Sequence, residues 1–437
     1  MAELALLRTR RFGPFFWAQF LGALNDNVFR NALAIFLAFG TLGGVSLTAD
    51  TLVNLSAALF TAPFVLFSTT AGQLADKWDK ARVIRVVKAA EVAIMSFAAV
   101  GFQLRSAPLL LVALFLMGTH SAFFGPVKFS ILPQHLRDDE LVGGNALVQT
   151  GTFAAILAGT VVGGALAGIP AAGPSAVSAL VVALALVGLL AGLGVPPAPP
   201  PDPSLRIDWN PLPETLRTIG FARRDRSVFL SIIAISWFWS YGTVLLVQFP
   251  GLGHQVLGGN ERLVAVLLTV FSVGVGLGCT LCDRLSAGRL EPGIVPLGAI
   301  GLSLFALDLY GLLRAWPAAA VPIGPGAFLA LGGSWRLLAD LVLVGVSGGL
   351  FIVPLQTLVQ QRSLVTHRAR IIAGGNILSS LSMTLAAAGV IVLRQAGLTI
   401  PDLLLVVAVL NVLVALWLCA AVPEFPARSL AWARGRG

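Results

Sequence analysis

The chain has 437 residues, of which 57% are hydrophobic and only 11% are charged. Soluble domains carry about 25% charged residues, and a water-soluble core could not absorb this apolar excess without large exposed patches. A membrane-spanning helix needs roughly 20 mostly apolar residues, so the chain has room for about twelve. The net charge of +9 comes from bases in short loops between apolar runs, which indicates membrane topology rather than nucleic-acid binding.

The hydropathy pattern predicts an all-α membrane protein with twelve transmembrane helices. The spans lie near residues 13–40, 51–75, 83–104, 107–133, 143–168, 175–195, 227–250, 262–282, 292–313, 341–361, 371–394 and 400–421. This divides the chain into an N-terminal six-helix half (1–195), a linker (196–226) and a C-terminal six-helix half with a basic tail (227–437). The linker opens with a proline-rich run and contains a candidate surface helix near 211–221.

The basic residues predict that both termini and the linker are cytoplasmic. In that orientation few bases fall outside the cytoplasm or within a span, namely Arg105, Arg262, Arg314, Arg336 and Arg394 outside, and Arg30 and Lys128 within spans. The opposite orientation would place most of the bases on the wrong side.

Two loops repeat one charge pattern six helices apart. In each, an acidic residue is followed at once by a base and six residues later by an arginine: Asp76 with Arg82, and Asp283 with Arg289. The repeat indicates two parallel pseudo-repeats of six helices, and the loop resembles the signature of the major facilitator superfamily. We expect these loops to act as conformational switches whose ion pairs lock one packing of the helices. The alternative is a loop that only sets topology.

Charged residues inside spans are costly and mark functional or paired positions. Residues 25–31 read Asn-Asp-Asn-Val-Phe-Arg-Asn at the centre of the first span. Asp26 and Arg30 share a helix face and can pair, and with Asn27 we take them as candidate substrate-binding residues. A self-neutralised structural pair is the alternative.

The third and fourth spans carry more charge. Lys88 and Glu91 lie three residues apart and can neutralise each other, although Glu91 is also a candidate binding residue. Lys128 follows Pro126 in the fourth span and is a candidate anchor for an anionic group. We expect Pro126, and Pro354 in the tenth span, to break their helices and mark a substrate path. A lysine reaching toward lipid headgroups is the alternative reading of Lys128.

Polar residues in other spans could line the same cavity or bond between helices. Gln149, Gln248 and Gln356 are the candidate binding residues among them. Within the spans of the second half, apart from residues at the span boundaries, only Asp308 is expected to carry a charge. A cavity with one polar and one apolar wall suits an amphiphile, with its headgroup facing the first half.

Several stretches together resemble the lysophospholipid transporter family of the major facilitator superfamily, above all the transporter domain of its acyltransferase-fused members. The resemblance rests on residues 7–12, 19–33, 88–91, 125–133, 143–147 and 348–355. It implies a flippase in the bacterial inner membrane that moves lysophospholipids toward the cytoplasmic leaflet. It also implies that Asp26 and Lys128 match polar positions of the family's substrate path.

Two features depart from that family. Its members can carry a basic residue in the seventh span, where Gln248 is the nearest polar residue here. No acyltransferase domain follows the spans, so a separate acyltransferase is the expected partner for any reacylation, beside lysophospholipid and membrane lipids.

Two other functions compete with this one. A proton-coupled facilitator for a small solute or drug would use Asp26 as its proton carrier. A lipid enzyme is disfavoured, because the acyltransferase pattern of a histidine four residues before an aspartate occurs only at His135 and Asp139, in a short connection. We predict no cofactor and no metal, since Cys279 and Cys282 lack further ligands nearby.

Overall fold

A computed structural model describes residues 2–45, 47–317 and 322–434. Twelve long helices follow one another along the chain and confirm the predicted all-α architecture. They are α1 (Gly13–Ala38), α2 (Ala49–Lys77), α3 (Lys80–Gln103), α4 (Ala107–Ser130), α5 (Leu141–Ala167), α6 (Gly173–Leu193), α7 (Arg226–Gly251), α8 (Glu261–Leu285), α9 (Ile294–Arg314), α10 (Ser334–Arg362), α11 (Arg368–Gln395) and α12 (Ile400–Ala421). Shorter helices are Ala2–Leu6, Leu132–His135, Pro211–Arg223, Leu252–Val256 (a π-helix), Pro325–Leu329, Val365–His367 (3₁₀) and Glu424–Ala433.

Ten of the helices in the described part of the chain are long and apolar enough to cross a membrane. Helices α1 and α3 are not among them, and both carry charged side chains near their middle. In lipid a spanning helix satisfies its own backbone, so polar side chains are the remaining cost. The contacts made by α1 and α3 therefore matter most for the polar chemistry of this protein.

Helix boundaries agree with the sequence prediction to within a few residues at most ends. The linker helix, predicted near 211–221, runs from Pro211 to Arg223, and the Asn210 side chain caps it by accepting a hydrogen bond from the Leu212 amide. Asp225 caps α7 in the same way. The largest difference is α10, which begins at Ser334 rather than near 341.

The earlier start of α10 corrects one expectation. It places Arg336 and Asp340 on the helix, so Asp308 is not the only charged residue within the spans of the second half. Arg336 forms a bidentate ion pair with Asp308, with Nε donating at 2.9 Å to Oδ2. Asp340 is 4% exposed and its Oδ2 atom lacks a hydrogen-bond partner.

The predicted helix breaks at two prolines are wrong. Helix α4 continues through Pro126 to Ser130, and α10 continues through Pro354 to Arg362. A proline removes one backbone donor, but neighbouring packing can keep the helix continuous around it.

The chain folds into two compact units that are not contiguous in sequence. Unit 1 contains residues 1–137, 154–224 and 363–380, and unit 2 contains residues 138–153, 225–362 and 381–437. The first part of α5 belongs to unit 2 and the first part of α11 to unit 1. The division of the sequence at residues 195 and 227 stays a prediction about the repeat.

Unit 1 has an apolar core at one end of its helices. Phe102 lies at its centre, with Phe29 and Phe36 at ring-centroid distances of 5.7 and 5.6 Å. At the other end, the linker runs beside the start of α3: the Ala198 amide donates to Asp79, and the Ala198 carbonyl accepts from the Lys80 amide. We call this end the linker face of unit 1.

Unit 2 is held by close packing of two glycine-bearing helices. Gly274 and Gly278 of α8 face Gly345 and Gly349 of α10. Within each helix, three residues separate the two glycines. A Cβ atom added to Gly278 would lie 2.6 Å from the Val346 Cα atom. Small residues at this spacing let helix backbones approach closely, which strengthens packing where lipid removes the hydrophobic drive for association.

The helix Glu424–Ala433 is fastened to unit 2 by two bidentate ion pairs. Arg362 Nη1 donates to Glu424 Oε2 at 2.8 Å, and Arg428 Nε donates to Glu291 Oε1 at 3.1 Å. The hydrogen bonds from Arg362 lower the pKa of the Glu424 carboxyl. These pairs are partly exposed, so each contributes little to stability, but together they define where this helix lies.

Replacing Gly278 by alanine should destabilise the protein by about 1–3 kcal/mol, because the new methyl group overlaps the α10 backbone, which cannot move aside. The matched control is Gly389→Ala, where an added Cβ meets no atom within 4 Å. Thermal unfolding in detergent measures both. Equal melting temperatures for the two variants would contradict the proposed role of the α8–α10 contact.

Candidate functional site

A carboxylate without solvent access lies at the centre of unit 1. Lys88 Nζ is 2.7 Å from Glu91 Oε2, and both side chains are 0% exposed. His120 Nε2 lies 3.3 Å from the same oxygen, and Asn25 Nδ2 donates to Glu91 Oε1 at 2.9 Å. The predicted neutralisation of Glu91 by Lys88 is confirmed. Both Glu91 oxygens are engaged within the protein, so its substrate-binding role stays a prediction.

Glycines make room for the Lys88 side chain. A Cβ on Gly22 of α1 would overlap the Lys88 ammonium, and Cβ atoms on Gly192 and Gly188 of α6 would lie 3.4 and 3.8 Å from its atoms. The ammonium also lies 5.1 Å from the centre of the Phe124 ring, within range of a cation–π contact. The charge pair is thus enclosed by α1, α3, α4 and α6.

Asp26 differs from Glu91 because it is only partly buried and only partly satisfied. Ser121 Oγ donates to Asp26 Oδ2 at 2.8 Å, while Oδ1 has no hydrogen-bond partner. The expected Asp26–Arg30 ion pair is not formed between these two described residues. The Arg30 guanidinium instead lies 4.2 Å from the centre of the Phe60 ring, and Arg30 as a residue is exposed. An anion and a cation are therefore both left available on one helix.

The asparagines around Asp26 have structural partners. Asn25 bonds Glu91, and Asn31 Nδ2 donates to the Asn27 carbonyl at 2.8 Å and to Thr160 Oγ1 at 3.2 Å. Asn27 Nδ2 donates to the Ala23 carbonyl of its own helix at 2.8 Å. The polar centre of α1 thus serves helix packing as well as the candidate site.

Lys128 lies one helical turn beyond Gly125 on the α4 face that carries Ser121, the partner of Asp26. It is half-buried, with Nζ 5.3 Å from the centre of the Phe129 ring. Spacings of four and three residues place Ser121, Gly125 and Lys128 on one side of the helix. The structure therefore brings Lys128 to the same face as the Asp26 contact.

Three predicted binding residues belong to unit 2. Gln149 is 0% exposed, and neither of its side-chain polar atoms has a partner. Gln356 is 6% exposed in α10. Gln248 is half-buried and lines a groove of about 540 Å³ together with Arg394. The prediction that they bind substrate stays untested.

Asn145, which the sequence suggested for the cavity or for a hydrogen bond between helices, forms a buried amide pair in unit 2 with Gln360, which sequence reasoning missed. Asn145 Nδ2 donates to Gln360 Oε1 at 2.6 Å and to Thr357 Oγ1 at 3.1 Å, and Gln360 Nε2 donates back to Asn145 Oδ1 at 2.9 Å. All three residues are 0% exposed. Reciprocal amide bonds leave few polar atoms unsatisfied, which is the requirement for burying them.

The two predicted switch loops differ in structure. Asp76 is 0% exposed and accepts from the Ala369 amide at 3.1 Å and from the Arg370 amide and Nε at 3.3 and 3.1 Å. A carboxylate is stabilised at the start of a helix such as α11, where backbone amides point outward. Arg370 was not identified from the sequence.

The remaining switch residues make weaker contacts. Among described residues no partner hydrogen-bonds to the Asp283 carboxylate, and the Arg82 and Arg289 side chains are exposed. The repeated charge pattern therefore has a buried ion pair in one copy only. The role of all four residues in conformational switching stays a prediction.

The linker holds the start of α11. The Phe221 ring packs edge-on against the His367 ring at 4.3 Å, and the Arg370 guanidinium lies 5.4 Å from the Phe221 ring centre. The Asp202 amide donates to the Asp76 carbonyl at 3.0 Å, and Asp202 Oδ2 lies 3.9 Å from Arg370 Nη2. The predicted linker is thus part of the Asp76 site.

Comparisons with known proteins agree with this architecture. The profile of the Major Facilitator Superfamily matches residues 15–387. The E. coli fucose:proton symporter FucP superposes with a TM-score of 0.68 at 12% identity, covering 94% of this chain and 98% of its own. A bacterial homologue of the iron transporter ferroportin gives a TM-score of 0.65 at 12% identity, covering 96% and 99% of the two chains. These solved structures support the fold alone.

The chain therefore belongs to the Major Facilitator Superfamily, and it is a multi-pass membrane transporter. It is 27% identical over 353 residues to the lysophospholipid transporter LplT of Enterobacter sp. (strain 638), covering 79% of each chain. It is 28% identical over 355 residues to LplT of Serratia proteamaculans (strain 568), covering 79% of this chain and 78% of the relative. The resemblance to lysophospholipid transporters is thus confirmed.

Replacing Glu91 by glutamine should destabilise the protein by about 3–5 kcal/mol, because it leaves the Lys88 ammonium buried without a counter-charge. Thermal unfolding measures the loss, and the double variant Lys88→Met/Glu91→Leu should recover much of it. If Glu91→Gln kept wild-type stability and lost only transport, Glu91 would act on substrate and not primarily on packing.

Replacing Asp76 by asparagine should lower the melting temperature and speed proteolysis near the start of α11, because the ion pair with Arg370 is lost. Asp283→Asn is the matched control, since it occupies the corresponding position without a bonded carboxylate. Limited proteolysis in detergent compares them. Equal effects of both changes would show that the buried Asp76 contacts are not what holds α11.

Proposed function

We propose that this protein moves lysophospholipids across the bacterial inner membrane, toward the cytoplasmic leaflet, by alternating access with both termini in the cytoplasm. The proposal is carried by the presence of a carboxylate and a cation on one helix of unit 1 that form no ion pair with each other. Asp26 keeps one oxygen unpartnered, and Arg30 on the same helix is an exposed residue. A headgroup with a phosphate and an ammonium needs both kinds of partner.

The relatives supply the substrate class. Relatives whose alignment with this chain covers 78–79% of their own length are named lysophospholipid transporters. A lysophospholipid has one charged headgroup and one acyl chain. Arg30 and Lys128 would bind phosphate oxygens, Asp26 would bind an ammonium, and Gln149, Gln248 and Gln356 would contribute neutral contacts. No bond is made or broken, so no catalytic group or cofactor is required.

Polar interactions explain why transport needs a protein here. Moving a headgroup through hydrocarbon exposes charges to a medium that cannot solvate them. Side chains that replace water along the route lower this cost. Because Lys88 already neutralises Glu91, we assign the headgroup contacts of the candidate site to the charged residues Asp26, Arg30 and Lys128.

A proton-coupled facilitator for a small solute is the second candidate. The unpartnered Asp26 Oδ1 could take up a proton, which is what a proton carrier requires. In that case Asp26 would couple to the ion, and the exposed Arg30 would bind an anionic solute. Competition by lysophospholipid distinguishes the two functions.

Uptake of labelled lysophosphatidylethanolamine by spheroplasts that lack their own transporter should require Asp26 and Lys128. At matched expression, Asp26→Ala and Lys128→Ala should each slow uptake by about 10- to 100-fold, since a hydrogen bond to a charged group contributes about 1.5–3 kcal/mol. Asp308→Ala is the control, because Asp308 belongs to unit 2 and pairs with Arg336.

Two outcomes of this uptake assay would contradict the proposal. If the wild-type protein moves no lysophospholipid while small solutes bind and are transported, the fold assignment stands and the small-solute facilitator replaces the flippase. If all three variants transport like wild type, the polar site of unit 1 is not part of the route.

A further inference from the structure

One face of α2 carries small and polar residues over about four helical turns, together with the apolar Val65. Thr61, Ser68, Gly72 and Asp76 follow at spacings of seven, four and four residues, which places them on one side of a helix with about 3.6 residues per turn. Thr69 borders this stripe. Because α2 is a spanning helix, such a face needs either a polar partner or water.

The first part of α11 covers this stripe within unit 1. The Ser380 hydroxyl lies 3.5 Å from the Thr61 carbonyl oxygen, and the Ala369 amide donates to Asp76. Between these contacts, a Cβ on Gly72 would lie 2.8 Å from Ala373 Cβ. The backbones of α2 and α11 therefore approach closely along the stripe, and Ser68 lies between the contact points.

The same part of α11 also reaches α4. A Cβ on Gly125 would lie 2.6 Å from Asn376 Nδ2. Gly125 is one turn from Ser121, which bonds Asp26 at 2.8 Å. The covered surface thus continues from the α2 stripe to the face that carries the candidate site.

Two hydroxyls on or beside this stripe are left without partners. Ser68 and Thr69 are both 0% exposed, and neither hydroxyl has a hydrogen-bond partner. Serine and threonine in helices usually bond the carbonyl four residues earlier, as Thr61 does to Ala57 at 2.8 Å and Thr119 does to Phe115 at 3.0 Å. A buried hydroxyl without a partner destabilises the conformation that buries it.

A surface that stayed buried in every conformation would be better served by alanine. Alanine occupies other buried positions of the same helix, as at Ala71 with 1% exposure. The two unsatisfied hydroxyls gain water or a polar ligand as a partner when the cover moves away. They therefore favour a second conformation in which the stripe meets water or a polar ligand.

We propose that Ser68 and Thr69 line the headgroup passage of the transporter in a second conformation, in which residues 363–380 have left the α2 stripe. The ligand class is a phosphate-bearing headgroup, whose oxygens accept hydrogen bonds from the two hydroxyls. The inference rests on the proposed function for its ligand, whereas the accessibility of the stripe does not depend on which substrate is carried.

Thiol labelling tests the accessibility directly. Single cysteines replace Ser68, Thr69 or, as the control, Ala71, in full-length protein whose Cys279, Cys282 and Cys419 are changed to alanine. Permeabilised membranes expose both faces to a charged methanethiosulfonate reagent. All three positions are at most 1% exposed in the conformation described here, so different rates report a different conformation.

Ser68→Cys and Thr69→Cys should react at least about tenfold faster than Ala71→Cys, because only the stripe becomes exposed when the cover opens. Lysophosphatidylethanolamine should slow the reaction at both stripe positions. Equal rates at all three positions, with each variant eluting as a single folded species in gel filtration, would overturn the inference. Fast labelling that the lysolipid leaves unchanged would overturn the headgroup contact.

Serine-to-alanine replacement gives an independent readout. Ser68→Ala should keep or raise the melting temperature, because an unsatisfied hydroxyl is removed, and it should slow lysophospholipid uptake several-fold. A lower melting temperature with unchanged uptake would show that the hydroxyl serves packing and would overturn the proposal.

The two proposals can fail separately. If the stripe cysteines label fast but the protein carries no lysophospholipid, the proposed substrate is wrong and the passage remains. If lysophospholipid is carried normally while the stripe labels like Ala71, the flippase stands and this passage does not.

Discussion

A buried carboxylate, that of Glu91, constrains how the helices around it pack in unit 1. In a membrane protein it can remain charged only if the protein itself replaces water around it, and Lys88, Asn25 and His120 do so from three helices. The arrangement leaves little freedom, because moving any of these helices would separate charges in a medium of low polarity. The same constraint explains why residue 22 is a glycine, since a larger residue there would overlap the Lys88 ammonium.

This network also separates structure from function among the polar residues of the first spans. Glu91 uses both of its oxygens within the protein, whereas Asp26 holds one oxygen in a bond from Ser121 and leaves the other unpartnered. A buried charge pair lies beside a partly satisfied carboxylate in the candidate site. A site whose groups are already held in position loses less free energy to ordering when a ligand binds.

Close glycine contacts and buried polar contacts both bring helices together in this protein. Unit 2 packs α8 on α10 through glycines, where Gly278 and Gly349 let the backbones approach without charge. Unit 1 adds ion pairs at its centre and at its linker face, where Asp76 meets the start of α11. Contacts of amides and ions can be exchanged for water when helices separate, whereas glycine contacts cannot.

The sequence by itself determined the twelve helices, the class of protein and the pairing of Lys88 with Glu91, because hydrophobic length and short helical spacings are local properties. It did not determine that Asp26 and Arg30 remain unpaired, that α4 runs through Pro126, or that Arg370 reaches Asp76. Those outcomes depend on which side chain of a distant helix contacts each residue in the folded protein. They also depend on packing that compensates for a lost backbone hydrogen bond. Only the tertiary structure decides such competition, since spacing along one helix says which residues share a face and not what that face meets.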